Sequence, residues 1–196
     1  MRQKILEAFK YYDRLNRFFH NETELVFYIA KHIIENSNIE ANFEVPIKNN
    51  KNKTYKIDLV LTKEKKEYLV EFKFIRSKFV YQKDGHEFIL IDGGTTDFYK
   101  AIVDIERLED IQNNYENAYL VVLSNYKKSF NLENDKIKKQ GTKLFPMTNT
   151  KLNSETTVTT NNYYEFNWED YGRFNSGNNR EFKYLILEIP PKKNER

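Results

Sequence analysis

Cysteine is absent from the 196 residues, which excludes disulfide staples, cysteine-ligated zinc or iron–sulfur centres, and a thiol nucleophile. Glycine and proline number only six and four, too few for a collagen-like chain or a long flexible linker. The glycines form neither a GxGxxG turn nor a P-loop, so nucleotide cradling of either kind is unsupported, and no nucleotide cofactor is expected. The three histidines, His20, His32 and His86, lack HExxH spacing, and there is no GxSxG elbow. No apolar run nears the ~18 residues of a membrane span. The first fifteen residues, MRQKILEAFKYYDRL, carry charges where a secretory leader is apolar. A soluble, cytoplasmic protein is expected.

Large apolar side chains are plentiful, led by 15 Phe and 14 Tyr. That supports one well-packed domain over residues 1–196. The net charge of +3 says little, but its distribution is uneven. From Pro46 to Lys83 eleven Lys and Arg face four acids; from Asp84 to Leu120 nine acids face two bases. A basic stretch beside an acidic one suggests a positive face suited to a polyanion.

Residues 2–19 place Ile5, Phe9, Tyr12 and Phe19 at helical offsets. Asn21 then offers an N-cap to a second helix over about 22–36, with Leu25, Ile29 and Ile33 along one face. Beyond it the period changes to two. Phe43, Val45 and Ile47 alternate with polar residues, as do Tyr55, Ile57, Leu59 and Leu61, and then Tyr68, Val70, Phe72 and Phe74. These predict a meander of three strands. A hairpin is expected near Lys83 to Gly85, and then a helix capped by Thr95 or Thr96, with Phe98, Ala101, Ile102, Ile105 and Leu108 in phase. The apolar run AYLVVLS predicts a strand buried on both faces. After a Lys- and Asn-rich stretch, residues 156–168 read as extended, 175–180 as a turn, and 182–189 as a final strand.

Within this order the chemistry-bearing residues are carboxylates and a lysine on neighbouring strands. Asp58 lies on the second strand, and Glu71 and Lys73, two apart on the third, leave one face together. Paired as a hairpin, Asp58 and Glu71 converge into a site for a hard divalent cation, with Lys73 beside it. The lines YKIDLVL and EYLVEFKF, in the order αβββαβ, resemble the PD-(D/E)XK nuclease superfamily over about residues 22–123. That resemblance implies a restriction-endonuclease-like α/β core, a central mixed sheet flanked by helices. An extra N-terminal helix and a C-terminal elaboration over 124–196 are added to it.

The resemblance further implies that Asp58 and Glu71 bind Mg²⁺, with Mn²⁺ as substitute, and that Lys73 helps activate water for phosphodiester hydrolysis. A glutamate on the first core helix is often added; Glu24 is the best match, though it also stands where a capping box would place it. Ile57 occupies the position of the proline in the family's name. The expected protein is a Mg²⁺-dependent DNA endonuclease of restriction or defence type, acting as a homodimer. The alternatives are a catalytically silent nucleic-acid-binding protein on the same scaffold, or a structure-selective repair, junction or RNA nuclease. Lys48, Lys53, Arg76, Lys78, Lys127 and Lys128 are expected to contact phosphates. Tyr163, Tyr164, Phe166 and Trp168, with Arg173 and Arg180, are candidates for base stacking or for covering the core.

Overall fold

A computed structural model describes residues 1–49, 51–83, 85–112, 115–131, 139–174 and 180–190. Of the expected turn at 175–180, residues 175–179 lie outside the described residues, as do the side chains of Arg173 and Arg180, and Asp84.

The chain is α/β. Helices α1 (Arg2–Arg14) and α2 (Glu22–Glu35) precede strands β1 (Glu40–Lys48), β2 (Thr54–Lys63) and β3 (Lys66–Ile75). The hairpin β4 (Phe79–Lys83) and β5 (His86–Leu90) leads to α3 (Gly94–Ile111) and β6 (Asn117–Ser124). A short α4 (Lys127–Phe130) follows, then five small strands: β7 (Lys139–Gln140), β8 (Lys143–Leu144), β9 (Met147–Lys151), β10 (Thr157–Thr160) and β11 (Tyr164–Glu165). The chain returns through β12 (Glu169–Phe174) and β13 (Arg180–Ile189).

Six strands form the central sheet in the order β1-β2-β3-β6-β13-β12. All neighbours are antiparallel except β3 and β6. A parallel pair requires a crossover, and α3 supplies it. Two strands of the C-terminal third thus complete the main sheet rather than decorating it.

The sheet buries both faces. Val70, Phe72 and Phe74 of β3 pack with Ile5, Phe9, Leu25 and Ile29 of α1 and α2. Leu69 and Ile75 pack on the other side with Ile102, Ile105 and Leu108 of α3. Strand β6 divides in the same way, which is why its sequence is apolar throughout.

Two local expectations need correction. Neither Thr95 nor Thr96 caps α3; Gly93 is the N-cap, and Gly94 N–H donates to Asp92 Oδ1 at 3.1 Å. The helix starts at Gly94, which lies against the Tyr126 ring, where an added Cβ would fall 2.7 Å from a ring carbon. Secondly, β2 does not keep one face. Ile57 packs in the α3 cluster, whereas Leu59 and Leu61 pack in the α1–α2 cluster. Its partner β1 shifts at the same level, where Glu44 takes φ +56°. This phase change falls at Asp58.

Candidate active site

Asp58 sits at a fork. Strands β2 and β3 pair from Lys63↔Lys66 only as far as Leu59↔Val70. Beyond that point β2 pairs with β1, while β3 continues beside β6 to Ile75↔Ser124. The divergence leaves alternate backbone N–H groups of β3 without a ladder partner, a costly condition inside a protein. Side-chain carboxylates take them. Phe72 N–H donates to Asp58 Oδ2 at 2.8 Å, and Phe74 N–H to Glu22 Oε2 at 2.9 Å. In return Asp58 N–H donates to Glu71 Oε2 at 3.2 Å. The fork therefore gathers Asp58, Glu71 and Glu22.

Two residues of α3 close the site from one face. Lys73 Nζ lies 3.2 Å from Asp104 Oδ2 and 3.4 Å from Glu22 Oε1. Arg107 reaches Glu71 Oε1 at 2.8 Å and Asp104 Oδ1 at 2.6 Å, and donates to the Lys56 carbonyl at 2.9 Å. The side chains of Glu71 and Asp104 are only 3% and 4% exposed, and that of Lys73 is 15% exposed.

The electrostatics follow from this burial. Desolvation raises the Glu71 pKa well above the carboxylate range, and the facing charge of Asp58 raises it further. Burial also raises Asp104, against the opposing pull of Lys73 and Arg107, and raises Glu22, against Lys73 and the Phe74 N–H. For Lys73 burial works against the ammonium, but Asp104 and Glu22 outweigh it and hold its pKa above the ordinary lysine value. Lys73 is a cation at neutral pH. Four carboxylates face two cations, leaving two negative charges in excess when all are ionised.

Asp58, Glu71 and Lys73 are thus brought together; Glu24 is not. Its carboxylate accepts from His20 N–H at 2.8 Å and from Arg17 Nη2 at 2.5 Å, and its own N–H donates to Asn21 Oδ1 at 2.8 Å. It performs the capping role. Glu22 is the helix glutamate that reaches the fork, for a reason visible in the spacing. It precedes Leu25 by three and Ile29 by seven, so it shares the buried face of α2, whereas Glu24 does not. Asp104 and Arg107 were also missed. The signal was a charge at 104 within the apolar stripe of Ala101, Ile105 and Leu108.

The acidic stretch around α3 does not form an acidic surface. Asp97 pairs with Arg76 and Lys100, and Asp110 accepts from Asn49 and Tyr55. Glu106 accepts from Thr159 N–H. Glu109 accepts from the backbone and amide N–H groups of Asn161 and Asn162 and from the Tyr164 hydroxyl. These acids are internal partners.

The expected phosphate contacts gather at one edge of the sheet. Lys48 ends β1 and Lys53 precedes β2; Arg76 and Lys78 follow β3; Lys127 and Lys128 begin α4 after β6. The strand registers put all six at the edge where β3 and β6 end, which is also the open end of the fork. There Arg76 and Lys100 line a cavity of about 250 Å³ with Glu22, Lys73 and the start of α2. No helix among the described residues is long and apolar enough to cross a membrane.

No family model matches the chain, and no curated protein or solved structure is significantly similar to it.

Proposed function

We propose that the chain is a metal-dependent nuclease with a restriction-endonuclease-like core, hydrolysing phosphodiester bonds at the β2–β3 fork. The observation that carries this reading is the fork itself: Asp58, Glu71 and Lys73 converge where two strands part, at an edge rimmed by lysine and arginine. A divalent cation fits the residues present. Fully ionised, the four carboxylates exceed Lys73 and Arg107 by two negative charges, and a divalent cation would supply that charge while displacing the proton that burial holds on Glu71. Asp58 and Glu71 would hold Mg²⁺ or Mn²⁺. Among the described residues no three Asp, Glu or His groups form a complete ligand set. Waters and a substrate phosphate would complete it, as is usual for Mg²⁺.

When bound, the ion lowers the pKa of a coordinated water and offsets charge on the phosphate. The chain's own residues do the rest. Lys73, held as an ammonium by Asp104 and Glu22, donates hydrogen bonds to the phosphate oxygens where charge develops; it is no general base. Glu22 and Asp104 position it. Water oxygen bonds to phosphorus and releases its proton to bulk solvent, the phosphorus bond to the leaving sugar oxygen breaks, and that oxygen takes up a proton from a solvent water. Each chain supplies one such site, so cutting both strands of a duplex takes two chains.

One contact favours a second reading. Arg107 lies 2.8 Å from Glu71, where its guanidinium satisfies a carboxylate assigned to the metal. A silent nucleic-acid-binding scaffold would use Arg107 in place of an ion. Incubating plasmid and single-stranded circular DNA with Mg²⁺, Mn²⁺ or EDTA, beside Lys73→Ala, separates the two. Metal-dependent cutting by wild type and none by the variant is expected. Binding without cutting under every metal condition refutes the enzyme.

A further inference from the structure

The aromatic run at 163–168 divides in the structure. Tyr164 and Phe166 are buried in the α3-side cluster, and Tyr163 lies at the surface against Phe145 at 5.4 Å. Trp168 packs at the margin of that same cluster. It stands half-buried in a cleft of about 780 Å³, edge-on to Phe130 with ring centroids 5.1 Å apart. Phe166, Lys127, Glu181 and Lys183 are among the other residues that line it. Lys183 Nζ is 5.8 Å from the Phe130 ring and 2.6 Å from Asp170. The Trp168 indole N–H is buried, with no hydrogen-bond partner among the described residues.

Two aromatic rings meeting edge-on, with ammonium groups beside them, fit one kind of occupant. We infer that this cleft holds an unpaired nucleobase, its face against Trp168 or Phe130, with Lys127 on the adjoining phosphate. Glu181, which lines the cleft, can accept from an exocyclic amine, while the exposed part of the indole offers a stacking face. A base inside a duplex already stacks on its neighbours and cannot present a face to such a cleft.

The cleft also has a defined place relative to the fork. Lys183 is in register with Ser124, and Ser124 with Ile75, two residues beyond Lys73. The cleft therefore opens at the same edge of the sheet as the fork, with β13 two strand spacings, about 10 Å, from β3. A strand seated at the fork can place a nearby unpaired base in the cleft. The substrate is accordingly nucleic acid with a single-stranded stretch rather than uninterrupted duplex. This rests on the nucleic-acid reading of the site, but not on its metal chemistry.

Trp168 is the only tryptophan in the chain, so its fluorescence reports on the cleft directly. The full chain is titrated in EDTA with a dT oligonucleotide and with a blunt duplex of equal length. Quenching by the single strand, and much less by the duplex, is expected. With end-labelled DNA, Trp168→Leu should weaken single-strand binding roughly 5- to 150-fold, the worth of one stacked base, and leave duplex binding unchanged. Lys127→Ala should reduce the slope of log affinity against log salt by about 0.7. Equal quenching by both DNAs, or unchanged single-strand affinity in a folded Trp168→Leu protein, overturns the inference. Quenching by single strands alone, in a protein that cuts nothing with any metal, supports it and refutes only the nuclease.

Discussion

Asp58→Asn tests the fork most directly. The substitution is isosteric and leaves an oxygen to accept the Phe72 N–H now bonded at 2.8 Å. It removes one of two carboxylates that face each other without an intervening ion. Two unit charges at ~4 Å would repel by about 4 kcal/mol at an effective dielectric of ~20, and Glu71 avoids that repulsion by keeping its proton, so the cost appears as proton uptake above the ordinary carboxylate range. Arg107, 2.8 Å from Glu71, already offsets part of that repulsion. Some attraction for Lys73 is lost as well, but Lys73 keeps Asp104 at 3.2 Å and Glu22 at 3.4 Å. The balance is a gain of about 1–3 kcal/mol near pH 8, or roughly 2–10 °C in Tm for a chain of this size.

The pH dependence has a definite sign. Burial and Asp58 raise the Glu71 pKa in the folded state. The folded protein then retains a proton that the unfolded chain has released, so wild-type stability falls as pH rises above the ordinary carboxylate range. Removing the Asp58 charge lowers the Glu71 pKa and flattens that fall. Melting in EDTA should show a small difference near pH 5 that widens toward pH 8. Adding Mn²⁺ should then raise the wild-type Tm and leave Asp58→Asn nearly unmoved. A variant that melts below wild type at pH 8, or a difference that does not grow with pH, would refute the reasoning.

Lys73→Met should abolish cleavage in a single-turnover assay while changing DNA affinity little, and should cost about 3 kcal/mol in urea unfolding because Glu22 and Asp104 lose their shared cation. Glu22→Gln retains an acceptor for Phe74 N–H but removes a charge 3.4 Å from Lys73; single-turnover rates should fall roughly 10- to 100-fold with the fold intact. Glu24→Gln, outside the fork, should leave the rate unchanged. Glu109→Ala strands the donors of Asn161, Asn162 and Tyr164 and should cost about 3 kcal/mol or more, with amide protection lost first around residues 157–164 in hydrogen exchange.

Periodicity made α1, α2, α3 and the first three strands legible, because their apolar residues recur at the spacing that burial demands. It carried the reader to Asp58, Glu71 and Lys73 for the same reason, since strand phase decides which side chains meet. It failed at the fork. Ile57 and Leu59 are two apart and both apolar, so nothing in their alternation reveals that the backbone turns over between them. The carboxylates of α3 looked like surface charge because a sequence does not show their partners. Those of Glu109 lie more than fifty residues away. Glu22 was legible from its phase with Leu25 and Ile29, but the family resemblance was laid on Glu24, whose competing reading as a capping residue is the one its contacts match.

The packing of α1 against the far end of the chain sets a timetable for biosynthesis. Phe9 stacks on Tyr184 with centroids 4.3 Å apart and meets Tyr171 edge-on at 5.8 Å. The Tyr171 hydroxyl donates to the Arg17 carbonyl, and Gly172 N–H donates to Asp13. Helix α1 emerges from the ribosome long before these partners exist. At roughly 5–20 residues per second, the interval between Phe9 and Tyr184 is about 9–35 s. Throughout it Phe9 lacks the two tyrosine rings that finally cover it, although Tyr12 already has Phe19 and Tyr28 to pack on. A nascent chain halted after β6 therefore presents a sticky helix to chaperones, and release of the last strands is the event that retires it.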